Sequence, residues 1–240
     1  MPVMKKFIFI ILSCSVLSFT ACTALRDAAA VAILRQLTND DIANALKAAL
    51  KLGILDGAKG LSKPGGLMNS AYKILLPQEV RPITDKLRAI GLGGIENTIL
   101  QKVNAGAESA AGKAAPIFID ALEKMTITDA LNILMGDKNS ATNYLRTATS
   151  EKLYQAFNPI ITSSLDEFGA RKAWNDAVSK YNQIPFTTKM NPSLDDYVTK
   201  QTMSALFSVV ETKERSIRAN PAERTTDLMK QVFAKQDVNQ

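Results

Sequence analysis

Apolar residues recur at three- and four-residue intervals along most of this chain, and strict alternation does not recur, so the pattern predicts helices rather than strands. Thr38, Asn39, Asp40 and Asp41 form a cap cluster that opens a helix over residues 42–52. Ile42, Ala45, Leu46, Ala49 and Leu50 share one face of it, and Gly53 is its expected stop. The glycine-rich stretch 55–66 predicts irregular chain, and 67–76 a partly extended segment ended by Pro77. A helix is expected from Pro82, carrying Ile83, Leu87 and Ile90 and closing at Gly91. The clearest long helix covers 95–114, where Ile95, Ile99, Val103, Ala107 and Ala111 fall four apart. Another continues after Pro116 over 117–124, and Thr126 with Asp129 has the spacing of a capping box for a helix that ends by Gly136. A turn at 137–140 precedes a short helix over 141–148. Ser150 is expected to cap the next, whose stripe is Leu153, Phe157, Ile160, Ile161, Leu165 and Phe168, kinked at Pro159. Residues 171–181 carry Trp174 and Val178. After a loop over 183–192, Ser193 and Asp196 have capping-box spacing for a helix to Ala219, with Val198, Ala205, Leu206, Val209, Val210 and Ile217 inward. Asn220 and Pro221 break it, and a last helix holds Leu228, Met229 and Phe233. The expected fold is all-α, an irregular multi-helix bundle of about eight to ten helices.

The first 22 residues follow a different logic. Lys5 and Lys6 make a positive start, 7–19 an apolar run, and Thr20-Ala21-Cys22 a small-residue end. That is a secretory leader, too short for the roughly 20 residues of a spanning helix. Phe19-Thr20-Ala21-Cys22 resembles the bacterial lipobox, with Phe where Leu is usual, and makes Cys22 the expected lipidated residue. Ile11-Leu12-Ser13-Cys14 fits the motif better but follows a shorter apolar run, so Cys22 is preferred. Thr23 after the cysteine resembles outer-membrane sorting, since inner-membrane retention uses Asp there. The expected organisation is a leader over 1–21, an anchor-proximal helical linker over 22–38, one helical domain over 39–236 and a frayed tail over 237–240.

Composition narrows the chemistry. The chain has 240 residues, enough for a real core, and a net charge of +6 that includes the two leader lysines. The remainder is mildly basic and favours an anionic membrane surface weakly. No dense basic stripe with interleaved aromatics suggests nucleic acid. The chain has no histidine, which excludes Ser-His-Asp and Cys-His catalysis and His-bearing zinc motifs. Of its two cysteines, Cys14 is lost with the leader and Cys22 is acylated, so no disulfide is expected. No metal or other cofactor is expected.

Four features invite a chemical reading. Ser70-Ala71-Tyr72-Lys73 matches S-x-x-K, the nucleophile motif of penicillin-interacting enzymes, but K-T-G, S-D-N and the sheet of that fold are missing. The glycines at 57–66 and 91–94 lack the Walker spacing, and caps and turns account for them. Asp40-Asp41 and Asp195-Asp196 are paired carboxylates at helix starts, where the helix dipole favours acids, and Asp137-Lys138-Asn139 lacks the rest of a calcium loop. Arg215 and Arg218, with Arg224 and Thr225 at the opening of the last helix, make the best candidate for an anion site; the plainer account is a solvated helix face with threonine caps.

Several segments carry a family likeness: 66–77 (GLMNSAYKILLP), 87–94 (LRAIGLGG), 114–136, 141–154, 180–186 (KYNQIPF) and 194–233, which ends in NPAERTTDLMKQVF. In order and spacing they resemble the bacterial family called domain of unknown function 4197. The resemblance implies an exported protein, often a lipoprotein, and transfers no catalytic residues. The expected function is a membrane-tethered, periplasm-facing module, at the outer membrane, that binds a protein or a small apolar or anionic ligand without catalysis. The alternative is a hydrolase or transferase using carboxylates or Ser70 and Lys73. A lipid-carrying shuttle is a third possibility and requires a continuous apolar cavity between helices.

Overall fold

The computed structural model describes residues 37–77, 93–167, 169–183 and 193–237, together with 89, 185, 186, 189 and 191. The leader with Cys14 and Cys22, the linker before Leu37, most of the helix expected from Pro82 to Gly91, and Phe168 lie outside these residues. Eight α-helices are described: α1 Asn39–Ser62, α2 Gly93–Ala111, α3 Ala114–Glu123, α4 Ile127–Met135, α5 Ser140–Glu167, α6 Ala170–Tyr181, α7 Leu194–Ala219 and α8 Asp227–Asp237, with a 3-10 turn at Pro221–Glu223. Among the described residues there is no strand, and the fold is all-α.

α1 opens as its sequence predicts. The Thr38 hydroxyl accepts from the Asp41 N–H (3.1 Å), and the Asp41 carboxylate accepts from the Thr38 N–H (2.9 Å). It does not stop at Gly53, and residues 55–62 are helical rather than irregular. Gly53 and Gly57 lie inside the helix where α7 approaches most closely: a Cβ on Gly57 would sit 2.6 Å from Val209 Cγ1, and one on Gly53 3.3 Å from Lys213 Cβ. These glycines serve packing between helices, not chain reversal. The helix ends at Lys63, whose extended backbone is what a following Pro64 favours.

α4 has both of its predicted ends, a Thr126–Asp129 capping box and a Gly136 cap. α5 is one 28-residue helix where two were expected. Ser150 does not cap a new helix; its hydroxyl donates to the Arg146 carbonyl one turn back (2.6 Å). Pro159 sits within the helix, which runs on past it to Glu167. α7 starts at the expected residue but without the expected box. The Ser193 side chain makes no cap bond, because Asp196 instead accepts from Tyr154, Asn191 and Lys200.

α1 is the hub of the bundle, packed against α2, α3, α4, α7 and α8, while α5 lies against α2, α3, α6 and α7. Leu46, Ile54, Phe118, Leu134, Leu153, Phe157, Phe207 and Phe233 are fully buried between them. Phe118 and Phe207 meet edge to face at 5.7 Å, the arrangement that aromatic quadrupoles favour.

Candidate functional site

The turn region 63–77 is held from α2 by two buried polar side chains. Glu108 accepts from the N–H groups of Leu67 (3.0 Å) and Met68 (3.2 Å) through one oxygen and of Gly65 (3.0 Å) through the other. One turn earlier, Asn104 accepts from the Ile74 N–H and donates to the Ile74 carbonyl, both at 2.9 Å. Ser70 lies in the turn they fix. Its hydroxyl donates to the Leu67 carbonyl (3.0 Å) and accepts from the Tyr72 N–H (3.1 Å), while Lys73 meets Ser70 through the backbone alone, its N–H donating to the Ser70 carbonyl (3.2 Å). Among the described residues, the serine of S-x-x-K closes a turn and has no hydrogen bond to the lysine side chain. Asn104 and Glu108 were absent from the sequence reading. Their signal is there: two polar residues four apart, each directly after a position of the apolar stripe, Val103 and Ala107.

The arginine cluster does not form one surface. Arg218 is 4% exposed and Glu214 likewise. Arg218 binds Glu214 through Nε (3.1 Å) and Nη2 (2.9 Å), and donates to the carbonyls of Leu134 (3.1 Å) and Ile133 (2.7 Å) at the end of α4. Glu214 in turn accepts from the N–H groups of Ala141 (2.9 Å) and Thr142 (2.8 Å) and from the Thr142 hydroxyl (2.8 Å) at the start of α5. The pair is a buried clamp joining a carbonyl-rich helix end to an amide-rich helix start, in place of the solvated face that was the plainer account of Arg218. Arg224 is also buried. It donates to the carbonyls of Ile217 (3.1 Å) and Arg218 (2.9 Å), with its guanidinium 5.5 Å from the Phe233 ring centre. Arg215 is exposed and pairs with Glu211, and the Thr225 hydroxyl turns to Met229 Sδ (3.7 Å). The four expected anion-binding residues thus have separate structural duties.

The paired acids also diverge. Asp41 caps α1 while Asp40 is exposed. Asp195 receives long contacts from Thr162 (3.4 Å) and Asn158 (3.5 Å), and Asp196 receives Tyr154 (2.9 Å), Lys200 (2.9 Å) and Asn191 (2.8 Å). Burial pushes the Asp196 carboxyl up, but donation by Lys200, Tyr154 and Asn191 outweighs it and leaves a net downward shift. The same bond to Asp196 pushes the Tyr154 hydroxyl up. Among the described residues, no group of three or more acids or cysteines gathers as a metal site would require.

Among the described residues, one open groove lies between α2 and α5. It has a volume of about 660 Å³ and is lined by Lys102, Ala105 and Ser109 on one side and Ile160, Ser163 and Glu167 on the other. Its floor is a close crossing: a Cβ on Gly106 would lie 2.8 Å from Ser164 Oγ, so only glycine lets the helices meet there. The hydroxyls of Ser109, Ser163 and Ser164 have no protein partner among the described residues. A second cleft of about 180 Å³ lies beside Tyr72 and Lys73, facing Gln201, Ser204 and Ser208 of α7. The apolar space beside Leu46, Leu50 and Phe233, by contrast, amounts to about 10 Å³, no more than one water's worth. Among the described residues no helix is long and apolar enough to cross a membrane.

No curated protein and no solved structure matches the chain. A family profile does match it, over residues 36–234, from α1 through nearly all of α8 and including the Glu108-pinned turn and the Glu214–Arg218 clamp. On that match, the chain belongs to the family described as protein of unknown function, DUF4197.

Proposed function

We propose that this chain is a lipid-anchored module facing the periplasm, tethered to the outer membrane through Cys22, which binds a ligand or a segment of a partner protein without transforming it. The leader, its lipobox-like end and Thr23 support the anchor and the membrane. The observation that carries the binding reading is the α2–α5 groove. Its volume of about 660 Å³ is that of a small-molecule site. Three unpartnered hydroxyls, together with Glu167, offer donors and acceptors, while Ala105, Pro159 and Ile160 offer an apolar side. That lining suits an amphipathic small molecule or an extended peptide segment. An anionic ligand at Arg218 and Arg224 has no such support, since both guanidinium groups are buried on backbone carbonyls. Among the described residues, the apolar space beside Leu46, Leu50 and Phe233 is too small for a lipid carried between the helices.

Two measurements test the reading. Metabolic labelling with palmitate should mark the chain and its Cys14→Ser variant, and should fail with Cys22→Ser; equal labelling of all three removes the assigned anchor. Native mass spectrometry of the chain purified from its membrane should show a reproducible added mass, or cross-linking a reproducible partner, that is lost in Ser163→Trp, which fills the groove. A ligand or partner retained unchanged by Ser163→Trp would place binding elsewhere.

A further inference from the structure

α1 is surrounded by five other helices, yet among the described residues one side of it has no neighbour. Ile42, Leu46, Leu50, Ile54 and Leu61 face inward. Asn44, Ala48, Lys51, Leu52, Leu55 and Lys59 form an exposed strip along the opposite side. Leu52 is 47% exposed and Leu55 39%, which is high for two leucines three apart on a helix otherwise so well buried. Single exposed leucines are ordinary; two adjacent ones beside Ala48 and the half-buried Ile119 make a patch.

The rim of that patch is basic. Lys51 and Lys59 lie on the strip, Lys47 beside it and Lys63 at its end. The acids nearby are few. Asp56 is held by Lys213 at 2.9 Å, and the Lys213 ammonium keeps its carboxyl below the ordinary carboxylate range. Glu123 closes the shallow groove shared by Lys47, Ala48, Lys51 and Ile119. Asp40 and Asp41 sit a full turn or more away, at the start of the helix. A pair of leucines framed by lysines on one helix face matches a bilayer surface: apolar side chains enter the headgroup boundary while ammonium groups meet lipid phosphates.

The place of α1 in the chain agrees with that match. From Cys22 to Asn39 the chain reaches roughly 25 Å if helical and roughly 55 Å if extended. An anchor at Cys22 therefore keeps α1 within reach of the headgroups. We propose that the exposed face of α1 docks on an anionic phospholipid surface, with Leu52 and Leu55 inserted and Lys47, Lys51, Lys59 and Lys63 on the phosphates. The inference rests on the anchored reading above, and gives the domain a fixed orientation that the anchor alone would not.

The test uses the full chain, processed and lipidated, in which an introduced cysteine is the only free thiol. An environment-sensitive dye is attached at Ala48→Cys in the strip or, as a control, at Ala148→Cys, exposed on α5. Each protein is mixed with vesicles of phosphatidylethanolamine and phosphatidylglycerol, or of phosphatidylcholine alone. Docking predicts co-flotation with both vesicles, a blue-shifted and lipid-quenched emission at position 48 only on the anionic ones, and a water-like emission at 148 on both. At roughly fivefold per lysine, Lys51→Gln with Lys59→Gln should lower the docked-to-undocked ratio about 25-fold. Leu52→Ser with Leu55→Ser should abolish the shift, with an unchanged helical circular dichroism signal. Co-flotation with a water-like emission at 48 would overturn the docking and leave the anchor standing. Failure to float at all would overturn both, and equal shifts on both vesicle types would overturn the role of charge.

Discussion

Glu214 and Arg218 offer a sharp check on the packing, because their roles are unequal. Glu214→Ala removes the acceptor for two N–H groups and one hydroxyl at the start of α5, and leaves Arg218 buried without its counter-charge. Orphaning a buried charge costs about 3–5 kcal/mol, and losing a helix cap about 1 more. The sum, about 4–6 kcal/mol, is comparable to the whole stability of many domains, at about 5–15 kcal/mol. Arg218→Ala should cost less, about 2–4 kcal/mol, since Glu214 keeps its three donors and only the Ile133 and Leu134 carbonyls lose theirs. The double variant should be milder than the sum of the two by about 1–3 kcal/mol, because removing Glu214 does most harm while Arg218 is present. Urea unfolding followed by circular dichroism at neutral pH, with unchanged slopes, measures all four proteins. A cost below about 1 kcal/mol for Glu214→Ala, or additivity within about 0.5 kcal/mol, would refute a buried, coupled clamp.

Two further outcomes follow from geometry of other kinds. Alanine normally stabilises a helix interior over glycine by about 1 kcal/mol, but a methyl on Gly57 meets the branched Val209 at 2.6 Å, so Gly57→Ala should destabilise by about 1–3 kcal/mol while Gly60→Ala, with nothing within 4 Å, should stabilise. Urea midpoints of the two variants moving in the same direction would contradict the close α1–α7 approach. Asp120 bridges α3 and α5, where hydrogen bonds from Lys124 and Lys152 lower its carboxyl from 3.8 to about 2. A lowered folded value means that this contribution is full above pH 3.8 and fades as the pH falls through about 2, so the stability gap between wild type and Asp120→Asn should close over that window. A gap that stays constant from neutral pH to about pH 2 would remove the bridge.

What the sequence disclosed was whatever its local rules decide alone. α4 was legible at both ends because Thr126, Asp129 and Gly136 act within a few residues of the helix they bound. α1 was cut short in the reading because Gly53 has the local look of a stop, while its actual role depends on Lys213, 160 positions later. Asp196 has capping-box spacing from Ser193, but Tyr154 on α5 and the neighbouring Asn191 and Lys200 compete for its carboxylate and win. The burial of Arg218 and Arg224 was hidden for the same reason. Spacing of i, i+4 looks alike on an exposed face and on a buried one, and only the meeting of α7 with the end of α4 decides which face Arg218 is on. The α2–α5 groove had no local signature, since Gly106 and Ser164 acquire meaning only when their helices cross.

Residues 37–237 contain no cysteine, so no disulfide fixes the turns of this bundle. Buried polar side chains do that work instead. Glu108 and Asn104 hold the turn after α1, Glu214 and Arg218 the α4–α5 junction, and Arg224 the α7–α8 junction. Each satisfies backbone groups that a helix end or an irregular turn leaves without partners, at a position where an unmet group would cost about 1–3 kcal/mol. A side chain saturated by its own backbone is poorly placed to take up a ligand or move a proton, so these conspicuous polar residues explain the fold rather than the activity. Among the described residues, polar groups still open to a partner include the hydroxyls of the α2–α5 groove and, beside Leu52 and Leu55, the exposed Lys51 and Lys59. Those two places, one shaped for a ligand and one for a charged bilayer, are where function should be sought.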